Sequence, residues 1–338
     1  MELAITLPLA EGAMSADEVV ELSRLADELE YHSIWAAEAW SFDAFVLLTS
    51  LIPSTSRIGL GTAIINVYSR TPALIGQSAA ALDALSGGRA IVGLGASGPQ
   101  VIEGWHGMPY VKPLRRTRET IEIVRMILGR QRLNYNGEIF HLDMGLKLIN
   151  HPIRANVPII VASLGPKNVE MTAEIADGWM PTLYSPTKGP DVFRESIKAG
   201  ERKRSPGLAP LQTYAQMSVS ITDRPEPGRA VMKSHLALYI GGMGSREQNF
   251  YNRLAKRYGY SDEAATIQDL YLSGKRQAAA EAVPDSLVED LTAIGPKELV
   301  RDKLAEFAEA GVDVLMLSVM AEDHAGRLAA LEEVKSLL

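Results

Sequence analysis

Short apolar runs alternate along the chain with longer amphipathic stretches. The first run, residues 3–9, precedes a segment at 16–31 in which Val19, Leu22, Leu25, Ala26 and Leu29 recur at helical spacing. Ser15, with Glu18 three residues on, forms a capping box at its start. Further runs at 33–39, 58–66, 90–97, 158–163, 179–184, 212–222 and 312–319 read as strands. Helical patterns at 42–52, 72–85, 114–128, 167–176 and 191–203 stand between them, and another begins near 323. Pro72 suits a first helical turn, where no amide bond is lost, and Pro296 opens a helix that Gly311 ends.

Eight strands, each followed by a helix, predict a parallel (β/α)8 TIM barrel of the α/β class, in preference to an open doubly wound sheet. Two stretches interrupt the rhythm. Residues 133–142 read as a hairpin turning at Asn136-Gly137. Residues 225–283 are a mostly helical insertion before the last strand, too long for a simple connection and suited to a lid, an oligomer contact or both. The whole chain, 1–338, is expected to be one domain.

Composition narrows the function. The chain is 46% hydrophobic, enough for a large core, and its net charge of −7 argues against a duplex-binding surface. It has no cysteine, which removes disulfides and thiolate chemistry. The amino terminus lacks a basic start and a long apolar stretch, and no run approaches the roughly 20 residues that span a bilayer. A cytoplasmic protein without membrane or nucleic-acid partners is the expectation. The six histidines show no metal-ligand spacing, so no metal site is expected, and no Gly-x-Ser-x-Gly elbow appears.

In a barrel of this kind chemistry sits just beyond the strand ends. After strand five, Ala162-Ser163-Leu164-Gly165-Pro166 runs through a glycine turn into a helix start. That arrangement suits a phosphate, and equally a plain tight turn. After strand four, Gly93-Leu94-Gly95-Ala96-Ser97-Gly98 allows a flat ligand to approach the backbone, or forms a flexible loop. A dinucleotide fingerprint is rejected there, because its third glycine and directly following helix are missing. Glu38, close to Trp40 after strand two, is either a desolvated acid or a capping charge. His106 lies in the strand-four loop, and the other five histidines read as surface or capping residues. Lys112, Arg115, Arg116 and Arg118 form a basic cluster, either a solvated face or a contact for an acidic ligand tail. Strand three, taken alone, reads as plain core.

Three stretches together resemble the luciferase-like monooxygenase superfamily. Leu85-Ser86-Gly87-Gly88-Arg89-Ala90-Ile91-Val92-Gly93-Leu94-Gly95 is similar to its approach to strand four. Asn66-Val67-Tyr68-Ser69-Arg70-Thr71-Pro72 resembles the strand-three loop of its deazaflavin-using members, methylenetetrahydromethanopterin reductase among them. Ala176-Asp177-Gly178-Trp179 resembles the junction into strand six. Their order covers nearly the whole chain.

The resemblance implies a barrel holding a flavin or deazaflavin over its strand ends. It places a non-proline cis peptide at Ala63–Ile64, which makes Ala63, Ile64, Ile65 and Asn66 cofactor residues. It implies that Ala162, Ser163, Leu164 and Gly165 hold a phosphate, with Thr182 as a further donor and Ser97 and Gln100 near the ribityl chain or ring edge. Trp40 and His106 become candidates for substrate contact. The sequence departs from the family in one respect. The Asp-His pair that several deazaflavin relatives carry after strand two is here Glu38-Ala39, which leaves Glu38 as the candidate proton relay. The implied activity is that of a coenzyme F420-dependent oxidoreductase moving a hydride between the deazaflavin C5 and a small organic substrate. The alternatives are an FMN-dependent two-component monooxygenase supplied by a flavin reductase partner, and a non-catalytic flavin-binding protein. The family also implies a homodimer and, for a reduced cofactor, a flavin or F420 reductase partner.

Overall fold

The structure is a computed structural model that describes residues 1–7 and 14–337. Eight parallel strands close on themselves. They are β1 (Glu2–Thr6), β2 (Ser33–Ala36), β3 (Gly59–Thr62), β4 (Ala90–Gly95), β5 (Ile159–Ala162), β6 (Gly178–Met180), β7 (Gln212–Ile221) and β8 (Val314–Val319). Each pairs with its sequence neighbours, and β8 returns to β1 through Glu2↔Val314 and Ile5↔Leu317. The expected barrel is therefore present. The end of its first predicted run, at Pro8 and Leu9, lies outside the described residues.

The helices form where sequence chemistry places their ends. In α1 (Ala16–Glu28) the Ser15/Glu18 capping box is made as expected. In α3 (Pro72–Leu85) the Thr71 side chain accepts the Leu74 amide at 3.2 Å while Pro72 fills the first turn. Between these, α2 (Ala44–Ser50) follows β2, and α4 (Pro99–Gly104) is a short helix that the sequence pattern did not signal. Next come α5 (Pro113–Leu128), α6 (Pro166–Ile175) and α7 (Gly189–Glu201).

The barrel interior is plugged beneath its mouth. Trp35, Ile160, Met316 and Tyr214 meet there, with Trp35 edge-on to Tyr214 at 5.5 Å between ring centroids. Trp35 donates from Nε1 to Ser33 Oγ at 2.8 Å, which satisfies its one polar atom. Gly61 makes room for this indole, since a Cβ there would lie 2.5 Å from Trp35 Cε3. A larger apolar cluster lies between the barrel and its helices.

The segment between β7 and β8 is helical as expected but reaches beyond residue 283. It comprises α8 (Glu226–Ala237), α9 (Phe250–Arg257), α10 (Ser261–Leu272), α11 (Arg276–Glu281) and α12 (Asp285–Leu291), around their own core of Leu236, Ile240, Ile267 and Leu287. A short strand, Thr292–Gly295, then pairs with the upper half of β7. It takes the edge that β6 leaves after pairing only at Gln212 and Thr213. Then α13 (Lys297–Glu309) leads into β8, and α14 (His324–Lys335) follows it. Tyr258, just beyond α9, donates its hydroxyl to Leu183 O at 3.0 Å, and Arg257 reaches Leu164 O at 3.3 Å. The insertion thus packs over the loops after β5 and β6, as a lid would.

Other expectations are corrected. The hairpin exists, but Asn136 sits in a strand paired with His141, and the turn spans Gly137 to Phe140. Glu119, buried on α5, sets this register by accepting the amides of Glu138, Ile139 and Phe140. The basic cluster is structural. Lys112 and Arg115 pair with Glu138, Arg118 pairs with Glu174, and Arg116 lies between the Tyr68 and Phe140 rings. His32 is half-buried inside the barrel beside Ser33, not on the surface. Among the described residues no helix is long and apolar enough to cross a membrane.

Candidate active site

Strand three does not run unbroken to residue 66. After Thr62 the chain bulges, the Ala63–Ile64 peptide is cis as the resemblance implied, and pairing with β4 resumes at Ile65 and Asn66. Thr62 bridges the gap. Its Oγ1 donates to Gly93 O and accepts from Gly93 N, both at 2.9 Å. This explains the glycines of β4 differently from the sequence reading. A Cβ on Gly93 would lie 1.8 Å from Thr62 O, and one on Gly95 would lie 3.1 Å from Ile64 Cδ1. Both glycines accommodate the bulge. Ala63, Ile64 and Ala162 are half-buried and form an apolar seat at the top of the barrel plug, while Ile65 turns outward into the helix-facing core.

Beyond β5 the chain turns at Gly165, the N-cap of α6, with Pro166 in the first turn. Ser163 is committed to the fold, because its carbonyl accepts Trp179 Nε1 at 2.9 Å and its hydroxyl meets Thr172 Oγ1 at 2.9 Å. The amides of Gly165 and Lys167 have no partner among the described residues, and nothing lies within 4 Å of where a Gly165 Cβ would be. The turn is open, with unpaired donors at a helix start. Two loops of the mouth adopt left-handed backbone at non-glycine residues, Ser97 after β4 (φ 58°) and Leu183 after β6 (φ 55°).

The carboxylate expected to relay protons is held fast. Glu38 binds Arg70 through both oxygens, the longer contact being 2.8 Å, and also accepts the Ala44 amide of α2 at 3.0 Å. The two side chains are only 8% and 11% exposed. Arg70 also holds Asp43, the N-cap of α2. Burial alone would lower the Arg70 pKa, but its bonds to Glu38 and Asp43 outweigh it and raise it above the ordinary value. Of the two sequence readings, the capping charge is the one the geometry makes. Trp40, by contrast, is exposed at the rim.

With this geometry in place, the chain can be set beside known proteins. The sequence profile of luciferase-like monooxygenases matches residues 1–314. The chain belongs to the luciferase-like monooxygenase family. A Mycobacterium tuberculosis protein assigned by name to the coenzyme F420-dependent oxidoreductases is 39% identical over 335 residues, 95% of this chain and 96% of that one. The F420-dependent tetrahydromethanopterin reductase of Methanopyrus kandleri superposes with a TM-score of 0.84 over 100% of this chain and 98% of its own, at 22% identity. An F420-dependent secondary alcohol dehydrogenase, solved with an F420–acetone adduct, superposes at 0.76 over 100% of this chain and 98% of its own, at 18% identity.

The other predicted residues of this luciferase-like barrel fall into two groups. Ser97, Gln100 and Thr182 carry side chains with no protein partner among the described residues, on the loops after β4 and β6. Asn66, in contrast, is consumed. Its Oδ1 accepts the Tyr68 and Ser69 amides at 3.0 and 2.7 Å, so its Nδ2 is the donor to His106 Nε2 at 3.1 Å. A neutral His106 therefore carries its proton on Nδ1. Sequence reasoning missed Arg70 and Thr62. Arg70 lies inside a stretch that carried the resemblance, but nothing in the sequence pairs it with Glu38, 32 residues away. Thr62 left no signal, because its role exists only where β3 meets Gly93.

Proposed function

We propose that the protein is an oxidoreductase that uses coenzyme F420 and transfers a hydride to or from a small organic substrate. The open turn at Gly165 carries the reading, since it offers unpaired amides to a phosphate where no side chain intrudes. The seat of Ala63, Ile64 and Ala162 suits one face of a flat ring system. Ser97, Gln100 and Thr182 are free to bind the ribityl chain and its phosphate, whereas Ser163 supports the turn from behind. When bound, the deazaflavin supplies a hydride donor or acceptor. The chain's own residues bind, orient and shield it. Glu38 and Arg70 then serve as positioning residues that tie the β2 and β3 loops together, and the proton moves by another route. The identity to the mycobacterial relative and the two F420-dependent structural neighbours support the same cofactor.

Fluorescence titration of the purified protein with F420 and with FMN tests this. F420 is expected to bind with a Kd in the micromolar range and FMN far more weakly. FMN binding without F420 binding would overturn the proposal in favour of an oxygen-using flavin enzyme. Tight F420 binding without turnover of any substrate would point to a cofactor carrier. The homodimer is proposed on the family resemblance, and light scattering of the eluting protein reads it.

A further inference from the structure

The inner wall of β7, β8 and β1 carries polar side chains that the fold does not use. Tyr214, Val314, Met316 and Ala4 face the barrel interior. Strand alternation puts Gln216, Ser218, Ser318 and Thr6 on the same face, nearer the mouth. Ser218 pairs in register with Ser318, and Ile5↔Leu317 places Thr6 level with Ser318. The three hydroxyls thus form a row across adjacent strands. All four side chains are half-buried, and none has a hydrogen-bond partner among the described residues. Thr6 Oγ1 is fully buried and unpaired. Buried hydroxyls are almost always satisfied, so the Thr6 hydroxyl lacks a structural explanation, and the half-buried Ser218 and Ser318 beside it add two more hydroxyls without a protein partner among the described residues. In the eight-strand order this wall lies across the mouth from the β3 bulge and β4.

We infer that this wall is the substrate subsite, and that Thr6, Ser218 and Ser318 hold the oxygen of a neutral carbonyl compound or its alcohol. The inference rests on the F420 reading. Charge decides the class. Above the Trp35 layer, the described inward-facing strand positions carry no charged residue, and the Glu38 and Asp43 carboxylates at the mouth are both bound by Arg70. A cationic substrate would find no free carboxylate there and an ionised acid no free cation, whereas a neutral oxygen finds three hydroxyls and an amide. Trp40, Phe42 and Trp105 stand 60%, 62% and 64% exposed on the loops after β2 and β4, apolar surface suited to the substrate's hydrocarbon part. In the reducing direction the carbonyl carbon receives a hydride from the reduced deazaflavin, which is oxidised, and the oxygen takes a proton from solvent. Alcohol oxidation reverses the same balance.

The test uses the wild type with Thr6→Val and Ser318→Ala. F420 affinity is measured first. Oxidation of reduced F420 is then followed with cyclohexanone and with the permanent cation N-methyl-1-pyrrolinium. Both variants are expected to bind F420 within about twofold of the wild type, and to lose about tenfold in kcat/KM for cyclohexanone, the worth of one hydrogen bond. Without cofactor, Thr6→Val is expected to melt about 1–2 °C higher, because an unpaired buried hydroxyl is removed. Turnover of the cation but not the ketone would overturn the inference. So would no ketone turnover by the F420-saturated wild type, or unchanged kcat/KM in both variants. Equal loss of F420 affinity would reassign the wall to the cofactor. Failure of the wild type to bind F420 overturns the cofactor reading and takes this one with it.

Discussion

The two sides of the barrel mouth are built in opposite ways. On the β2–β3 side the polar groups are spoken for: Glu38 by Arg70 and Ala44, Asn66 by Tyr68, Ser69 and His106, and Thr62 by Gly93, and only beyond β4 do Ser97 and Gln100 lack a protein partner among the described residues. On the β7–β8–β1 side the side chains of Thr6, Ser218, Ser318 and Gln216 have no partner among the described residues. The first side is a scaffold whose internal bonds fix the seat for a ring. The second forgoes those bonds and keeps its donors and acceptors for a molecule that comes and goes. Rigid support behind a cofactor and adaptable polarity before a substrate are what such a site requires.

This contrast can be broken by mutation, and the scaffold side should respond most. Gly93→Ala places a methyl group against the Thr62 carbonyl, where backbone must move, and is expected to cost about 4 kcal/mol or more in urea unfolding. Glu38→Ala leaves Arg70 with only the rim carboxylate of Asp43 and the Ala44 amide without its acceptor, and is expected to cost about 3 kcal/mol. The gentler Glu38→Gln separates two roles. A stable variant with normal F420 affinity and lost turnover would restore Glu38 as a proton relay, whereas parallel losses of stability and affinity fit the ion pair. At the turn proposed to hold the phosphate, Gly165→Asp meets open space. It is expected to leave the melting temperature nearly unchanged while weakening F420 binding at least about tenfold, since its charge opposes a phosphate. On the wall, Ser218→Ala is expected to change unfolding free energy by no more than about 0.5 kcal/mol. A large loss there would mean that the hydroxyl row serves the fold after all.

Parts of the local structure at the proposed site were legible in the chain. The turn at Gly165 follows from a strand, a glycine and a helix-opening proline in succession, all local features. The cis bond at Ala63–Ile64 was accessible only through family resemblance, because the strand pattern there is uninterrupted and apolar. The meaning of Glu38 was not legible. An acid after a strand has the same local signature whether it is free or paired, and Arg70 stands 32 residues away in sequence. The glycines of β4 suggested either close approach of a flat ligand or a flexible loop; the close packing of Gly93 on Thr62 and of Gly95 on Ile64 was not legible, because the bulge they face is 31 residues away.

By itself the sequence determined the alternation of strand and helix, the caps of α1 and α3, the glycine turn that opens α6 and the family. These depend on periodicity and on contacts a few residues apart. Tertiary structure alone decided which polar groups are used up and which remain free. That accounting sums over partners 30 or more residues apart, such as Thr62 with Gly93, and over neighbouring strands, such as β7, β8 and β1. Satisfaction of a hydrogen bond is a property of the closed barrel, and a sequence read in one dimension carries no record of which groups it leaves unpaired.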